Sequence, residues 1–281
     1  MGTALLFLCF LVFAAFGDAD HLLLSEICVT LTDGEFVEIF NPTGVTVSLD
    51  DYYLCDVYGD SSSIEYLYVQ IVAGPLTQSG SDFVAKFPGG ASIPSEGVIV
   101  VATTGSGFLT TYGISADFDL RGTGGGAIPM EAPGNCFIGG SAGLTNSSEP
   151  LMLFFWDGIS DLCSDVDYAI WGDEGYINRR IDKTGISLDG PDAGSTPTTY
   201  LNDTPIADQD SIADFGAAYG FSFHRVDFNE GTETSTGGNG ITGHDETSED
   251  MFNTWITLEP SPGEIYTALA RNTWAEIKSS F

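Results

Sequence analysis

Basic side chains are almost missing from this sequence: eight Lys and Arg stand against 40 Asp and Glu, a formal net charge of −32. Such a surface repels phosphate backbones, which excludes nucleic acid as a natural partner, and attracts cations and basic partners instead. No uninterrupted apolar run reaches the length that spans a bilayer, so no membrane span is expected. CxxC pairs are absent and the three His are scattered, so the spacing resembles no zinc motif. Long stretches of Ala, Leu, Glu and Lys at helical spacing are missing too. That argues against a helical fold.

What is present is strand material. Val, Ile, Thr, Tyr and Phe recur in short runs between turns rich in Gly, of which there are 35, and hydrophobic types make up 43% of the 281 residues. This composition predicts many short strands in an all-β sandwich or barrel of about one domain. Glu35 to Asn41 alternates, with Phe36, Glu38 and Phe40 on one face and Val37 and Ile39 on the other. Asn41-Pro42-Thr43-Gly44 ends that strand. Glu65 to Val72 and Asp82 to Phe87 read as a strand pair. Gly97 to Ala102, Leu151 to Trp156, Asp165 to Trp171, Phe221 to Val226 and Trp255 to Leu258 read as further strands. Residues 121–149 and 172–215 read as long excursions. Thr232 to Asp250, poor in hydrophobic residues, reads as a mobile loop.

Ala4 to Phe16 is apolar without a charge, with small residues at Gly17 and Ala19, the pattern of a secretory signal cut after Ala19. Residues 1–19 are therefore expected to be a signal peptide, 20–265 the sandwich domain, and 266–281 a short tail. Four cysteines remain past the cut: Cys28, Cys55, Cys136 and Cys163. An even number in an exported chain predicts two disulfides, with the pairing open among three possibilities. Asn146-Ser147-Ser148 and Asn202-Asp203-Thr204 are glycosylation acceptors, Asn146 and Asn202 being the linked residues. The expected location is extracellular.

The chemistry-bearing patterns are few. Asp157, Asp161, Asp165 and Asp167 crowd around Cys163, and carboxylate oxygens on a turn are what Ca²⁺ takes, so this loop is the candidate metal site. Asp245, Glu246, Glu249 and Asp250 form a second acidic group. Gly139-Gly140-Ser141-Ala142-Gly143 matches the nucleophile-elbow pattern, with His224 and His244 downstream, but no helix follows and the βα alternation is absent. The glycines at 122–126 likewise lack the helix a dinucleotide site needs, because Pro129 and Pro133 intervene. Tyr52, Tyr53, Tyr58, Tyr66 and Tyr68 concentrate rings in one region, either as cross-strand core pairs or as a face for glycans.

Several segments in order resemble the lamin-tail domain family. Leu23-Leu24-Ser25-Glu26-Ile27 followed by Gly34-Glu35-Phe36-Val37-Glu38-Ile39-Phe40-Asn41-Pro42-Thr43 is similar to the family's opening two strands. Val47 to Tyr52, Ile93 to Ala102, Phe108 to Gly113, Leu151 to Phe154 with Asp165 to Tyr168, Ser222 to Arg225, Trp255 and Ser261-Pro262-Gly263 continue the likeness in order. The resemblance implies an immunoglobulin-like β-sandwich, here with long inserted loops at 59–91, 121–149, 172–215 and 229–250, and a module with no catalytic set of its own. The expected function is extracellular binding, adhesion or structural assembly, with calcium as the only cofactor suggested. The expected partner is an extracellular protein, a glycan or a second copy of the chain. The alternative is a secreted hydrolase whose site this pattern does not reveal.

Overall fold

The structure, a computed structural model, describes residues 19–172, 179–213 and 217–266. The expected signal segment, up to residue 18, and the expected tail, from residue 267, lie outside the described residues. The fold is all-β. The first strands are β1 (Leu23–Cys28), β2 (Phe36–Phe40), β3 (Val47–Ser48), β4 (Tyr52–Cys55), β5 (Phe83–Lys86), β6 (Ser92–Ile93), β7 (Val98–Ala102) and β8 (Phe118–Asp119). They are followed by β9 (Ile128–Pro129), β10 (Phe137–Ile138), β11 (Glu149–Phe155), β12 (Ser164–Trp171), β13 (Ser187–Leu188), β14 (Thr198–Thr199), β15 (Ser222–Arg225) and β16 (Trp255–Leu258). Among the described residues the α-helices are α1 (Gly105–Tyr112) and the single turn α2 (Met251–Thr254).

Two sheets form an immunoglobulin-like sandwich. A seven-stranded sheet runs β16-β15-β1-β2-β7-β8-β9, and a five-stranded one runs β10-β5-β4-β11-β12. The alternation in β2 decides its faces. Val37 and Ile39 enter the main core between the sheets together with Leu24, Ile27, Ile99 and Val101. Phe36 and Phe40 point outward, yet both stay buried, because α1 covers Phe36 through Phe108 and Tyr112 while Phe228 covers Phe40. Strands β1 and β2 are therefore buried on both faces. Trp171 of β12 meets Phe223 of β15 across the core, with ring centroids 6.1 Å apart, and Phe87 meets Phe118 at 5.3 Å. Such pairs add roughly 0.5–1.5 kcal/mol each beyond the area they bury.

One expected strand pair is corrected. Asp82 to Phe87 supplies β5, but Ile64–Tyr66 and Tyr68–Ile71 are 3₁₀ turns that bury Tyr68, Val69 and Ile71. A short apolar run reports burial, and burial alone does not separate a strand from a turn of helix.

The disulfide expectation is also corrected. Cys28, Cys55, Cys136 and Cys163 are all buried free thiols. Cys28 points to the outer face of the seven-stranded sheet, packed with Phe36 and Phe108, while the other three lie in the main core. A sheet stands between them, and bridging needs Cα atoms within about 7 Å. All four act as small apolar side chains.

Candidate metal centre

The four aspartates expected to hold a cation do not converge. Asp157 folds back on its own loop, accepting from Ile159 N at 2.9 Å and from Ser160 N and Oγ at 2.7 Å each. Asp161 accepts from Gly190 N at 2.7 Å and Thr198 Oγ1 at 2.6 Å. Asp165 points inward, accepts from the Tyr68 hydroxyl and pairs with the buried Lys183 at 2.7 Å, which also binds Asp203 at 2.7 Å. Asp167 pairs with the buried Arg225 at 2.7 and 2.8 Å and accepts from Leu24 N at 2.5 Å. These last two carboxylates are committed to structural cations that close the sandwich.

Nor does the elbow pattern assemble. The Ser141 hydroxyl donates to Gly80 O at 2.7 Å, whereas His224 lies in β15 beside Ser222 at 2.9 Å and Glu26 at 3.4 Å. Asn146 and Asn202 are exposed, as glycan acceptors must be. Tyr52, Tyr53 and Tyr68 are buried in the core, and Tyr58 and Tyr66 face solvent.

A different constellation forms where β1 begins. Because β1 pairs with β15, His21 is brought beside the connection that leaves β15. That connection, residues 226–254, is not loose. Asp245 N donates to Thr234 O at 2.9 Å, Gly240 N to His244 O at 2.9 Å, and Ile241 N to Asp165 O at 2.7 Å, so the loop is bonded internally and to β12. The expectation of a mobile loop overlooked that backbone and short polar side chains can order a segment poor in apolar residues. Its tight turn depends on Gly240, where a Cβ would stand 2.5 Å from Glu246 Oε1 and 2.8 Å from the His244 carbonyl. Glu230 adopts the left-handed φ of 50°, a conformation that costs a non-glycine residue on the order of 1–2 kcal/mol.

This loop places Glu230, Glu233, His244, Glu246 and Glu249 around His21. His21 Nε2 lies 3.1 Å from Glu230 Oε1 and 4.0 Å from Glu246 Oε2, and His244 Nδ1 lies 3.4 Å from Glu233 Oε2. The imidazoles meet edge to face with centroids 6.1 Å apart. Ligand atoms of His21, Glu230 and Glu246 fall within 4.8 Å of one another, as do those of Glu230, Glu233 and His244. Glu230 belongs to both groups.

The atoms that face each other are unsatisfied. Both oxygens of Glu230, Glu233 and Glu246, one oxygen of Glu249, His21 Nε2 and His244 Nδ1 are buried without a hydrogen-bond partner. The 3.1 Å approach of His21 to Glu230 therefore lacks hydrogen-bond geometry. Side-chain exposure is 2% for His21, 1% for Glu230 and 0% for Glu233 and Glu246, with His244 at 25%. Arg225 compensates Glu249 at 2.8 Å together with Asp167, one guanidinium for two carboxylates. Burial, reinforced by Glu230 and Glu249, pushes the Glu233 carboxyl up to about 10, and burial with Glu233 and Glu230 holds Glu246 far above the carboxylate range. Each orphaned buried polar group costs roughly 1–3 kcal/mol. Without a cation the Glu233 and Glu246 carboxyls are driven to keep their protons. The two overlapping groups that share Glu230 bring more acceptor atoms together than the surrounding protein satisfies.

Glu246 and Glu249 stand out in the sequence as an acidic group, but their convergence with His21, Glu230 and Glu233 does not, because the histidines stand at opposite ends of the chain. The available signal was the repeated Glu-x-x-Glu spacing, at Glu230/Glu233 and again at Glu246/Glu249.

No family model matches the chain, and no curated protein matches it. A solved structure that it resembles is a DUF4876 family protein from Bacteroides thetaiotaomicron VPI-5482. That protein is 13% identical with a TM-score of 0.45, over 88% of this chain and 75% of that one. A likeness this remote has no bearing on function.

Proposed function

We propose that this protein is an extracellular, non-catalytic β-sandwich module of the lamin-tail kind, stabilised by a divalent transition metal held by His21, Glu230, Glu233, His244 and Glu246. The observation that carries it is the inward-facing set of two imidazole nitrogens and three glutamates whose buried atoms have no other partner. Imidazole with carboxylate suits zinc, manganese or iron, whereas calcium prefers oxygen alone. Each of the two groups, which share Glu230, brings its ligand atoms within 4.8 Å. Ligand atoms around a tetrahedral zinc stand about 3.3 Å apart, so small side-chain movements would close either group on an ion, the remaining residues flanking it.

Its closure supports a structural role. Structural sites are sealed and catalytic ones keep a position open to water. Four of the five ligands here have almost no exposure. The ion would tie the start of β1 to the 226–254 connection and so brace the edge of the seven-stranded sheet. The lamin-tail reading is supported by what its marker residues do. Glu26 and Glu38 accept from Ser261 N at 3.1 Å and Gly263 N at 2.7 Å, joining the family-like opening to the family-like close. An extracellular location is supported by the apolar run near the start and by the exposed Asn146 and Asn202.

The test is elemental analysis of protein purified without chelator, followed by zinc titration of the stripped protein. At about a thousand times Kd, a bound ion adds roughly 4 kcal/mol, which raises the unfolding midpoint by about 10 °C in a chain of this size. Protein that carries no metal, and whose midpoint ignores zinc, manganese and iron, overturns the proposal.

A further inference from the structure

A second group of carboxylates sits beside a cavity on another side of the molecule. Asp56, just after β4, Asp82, just before β5, and Glu149, at the start of β11, bring one oxygen each within 4.8 Å of one another. Asp56 is 1% exposed. Its Oδ1 accepts from Phe83 N at 2.7 Å, and its Oδ2 is buried with no partner. Glu149 accepts from Thr145 N at 2.7 Å and Thr145 Oγ1 at 2.9 Å. Arg179 acts on Glu149 as a neighbouring positive charge, so the three carboxylates still outnumber their cation.

Asp82 also lines the adjoining cavity of about 670 Å³, within the size range of small-molecule sites. Tyr58, Asp60, Tyr66 and Gln78 line it as well. Tyr58 and Tyr66 are 37% and 47% exposed, unlike the other tyrosines of this region. Asp60 is held rigid by Ser62, whose N and Oγ donate to it at 2.8 and 2.6 Å.

We propose that Asp56, Asp82 and Glu149 hold Ca²⁺ and that this ion, with Tyr58 and Tyr66, binds neutral glycans in the cavity. The donor set is oxygen only, the preference of a hard cation that takes six to eight oxygens in all. Three carboxylates cannot fill that shell, and vicinal sugar hydroxyls entering on the Asp82 side supply further oxygens. Tyrosine faces pack the C–H face of a sugar ring and leave its hydroxyls to Asp60, Gln78 and the ion. The formal charge of −32 repels sialylated, sulfated or uronate glycans, which leaves neutral sugars as the class.

The experiment uses the full chain. Calorimetry with Ca²⁺ alone is expected to show one ion per chain in addition to any transition metal, and Asp82→Asn to weaken it at least tenfold. An array of neutral mannose, galactose and glucose oligosaccharides, probed with and without added millimolar Ca²⁺, is expected to retain the protein only with calcium. Tyr66→Ala is expected to abolish retention while leaving the calcium isotherm unchanged. Unfolding midpoints of both variants confirm that they fold. Absence of calcium heat, calcium binding without retention of any glycan, or retention indifferent to calcium each overturns the proposal.

Discussion

Glu26 and Glu38 stand directly opposite each other on β1 and β2, both buried, and both close on the same short segment. Glu26 accepts from Ser222 Oγ at 2.6 Å and Ser261 N at 3.1 Å; Glu38 accepts from Ser25 Oγ at 2.7 Å and Gly263 N at 2.7 Å. Two like charges facing each other across a strand pair repel. The pair is tolerable when at least one carboxyl keeps its proton.

That proton sets a pH dependence. Burial pushes Glu26 up to about 8 from an ordinary 4.5, with the bonds from Ser222 and Ser261 opposing this only in part. The folded chain binds a proton here that the unfolded chain releases, so the stability contributed is complete below 4.5 and lost as pH rises through about 8. Glu26→Gln retains an acceptor and cannot ionise. In urea melts it is expected to be more stable than wild type at about pH 8.5, with the difference shrinking toward about pH 5. A difference independent of pH contradicts this assignment.

Arg225 is bound on several sides at once. It is fully buried, donates to Asp167, Glu249 and Leu24 O, and lies 4.9 Å from the centre of the Trp255 ring. Arg225→Met leaves two buried carboxylates without their cation, and the expected loss is about 3–5 kcal/mol in urea unfolding. A loss below about 1 kcal/mol would place the pair among surface-like ion pairs.

The thiols are testable directly. Burial raises Cys136 to about 12 and holds Cys55 and Cys163 well above the usual thiol range. Cys28, Cys55, Cys136 and Cys163 are expected to ignore a thiol reagent in the native protein and to react together once it is denatured without reductant. Peptide mapping that finds any two of them bridged refutes the arrangement.

Removing the proposed transition metal is expected to expose the connection between β15 and β16. Limited proteolysis is expected to cut between residues 229 and 250 in chelated protein and to spare zinc-loaded protein. Gly240→Ala forces a Cβ toward Glu246 and the His244 carbonyl. It is expected to weaken zinc binding at least tenfold, a loss of about 1.4 kcal/mol. Equal cleavage with and without metal counts against the role given to the ion.

Strand alternation made the sheets legible in the sequence. In β2, Val37 and Ile39 face the core and Glu38 faces outward, as the period of two requires. The acidic loop misled because Asp165 and Asp167 seek Lys183 and Arg225, partners set by the sheet pairing and remote in sequence. The meeting of His21 with His244 escaped for the same reason: the topology that joins β1 to β15 brings them together. Cysteine parity failed because a count carries no direction, and Cys28 faces away from the other three.

β1 lies inside its sheet between β2 and β15, with Glu26 opposite both Glu38 and His224. Its second neighbour is synthesised long after the first. Until β15 emerges, a nascent chain presents an open, largely apolar strand flank, the kind of template that recruits other chains. Folding must therefore wait for the distal part, a high-contact-order route that is slow and vulnerable to aggregation. Any fragment ending before Ser222 should accumulate as insoluble material, however intact its own strands.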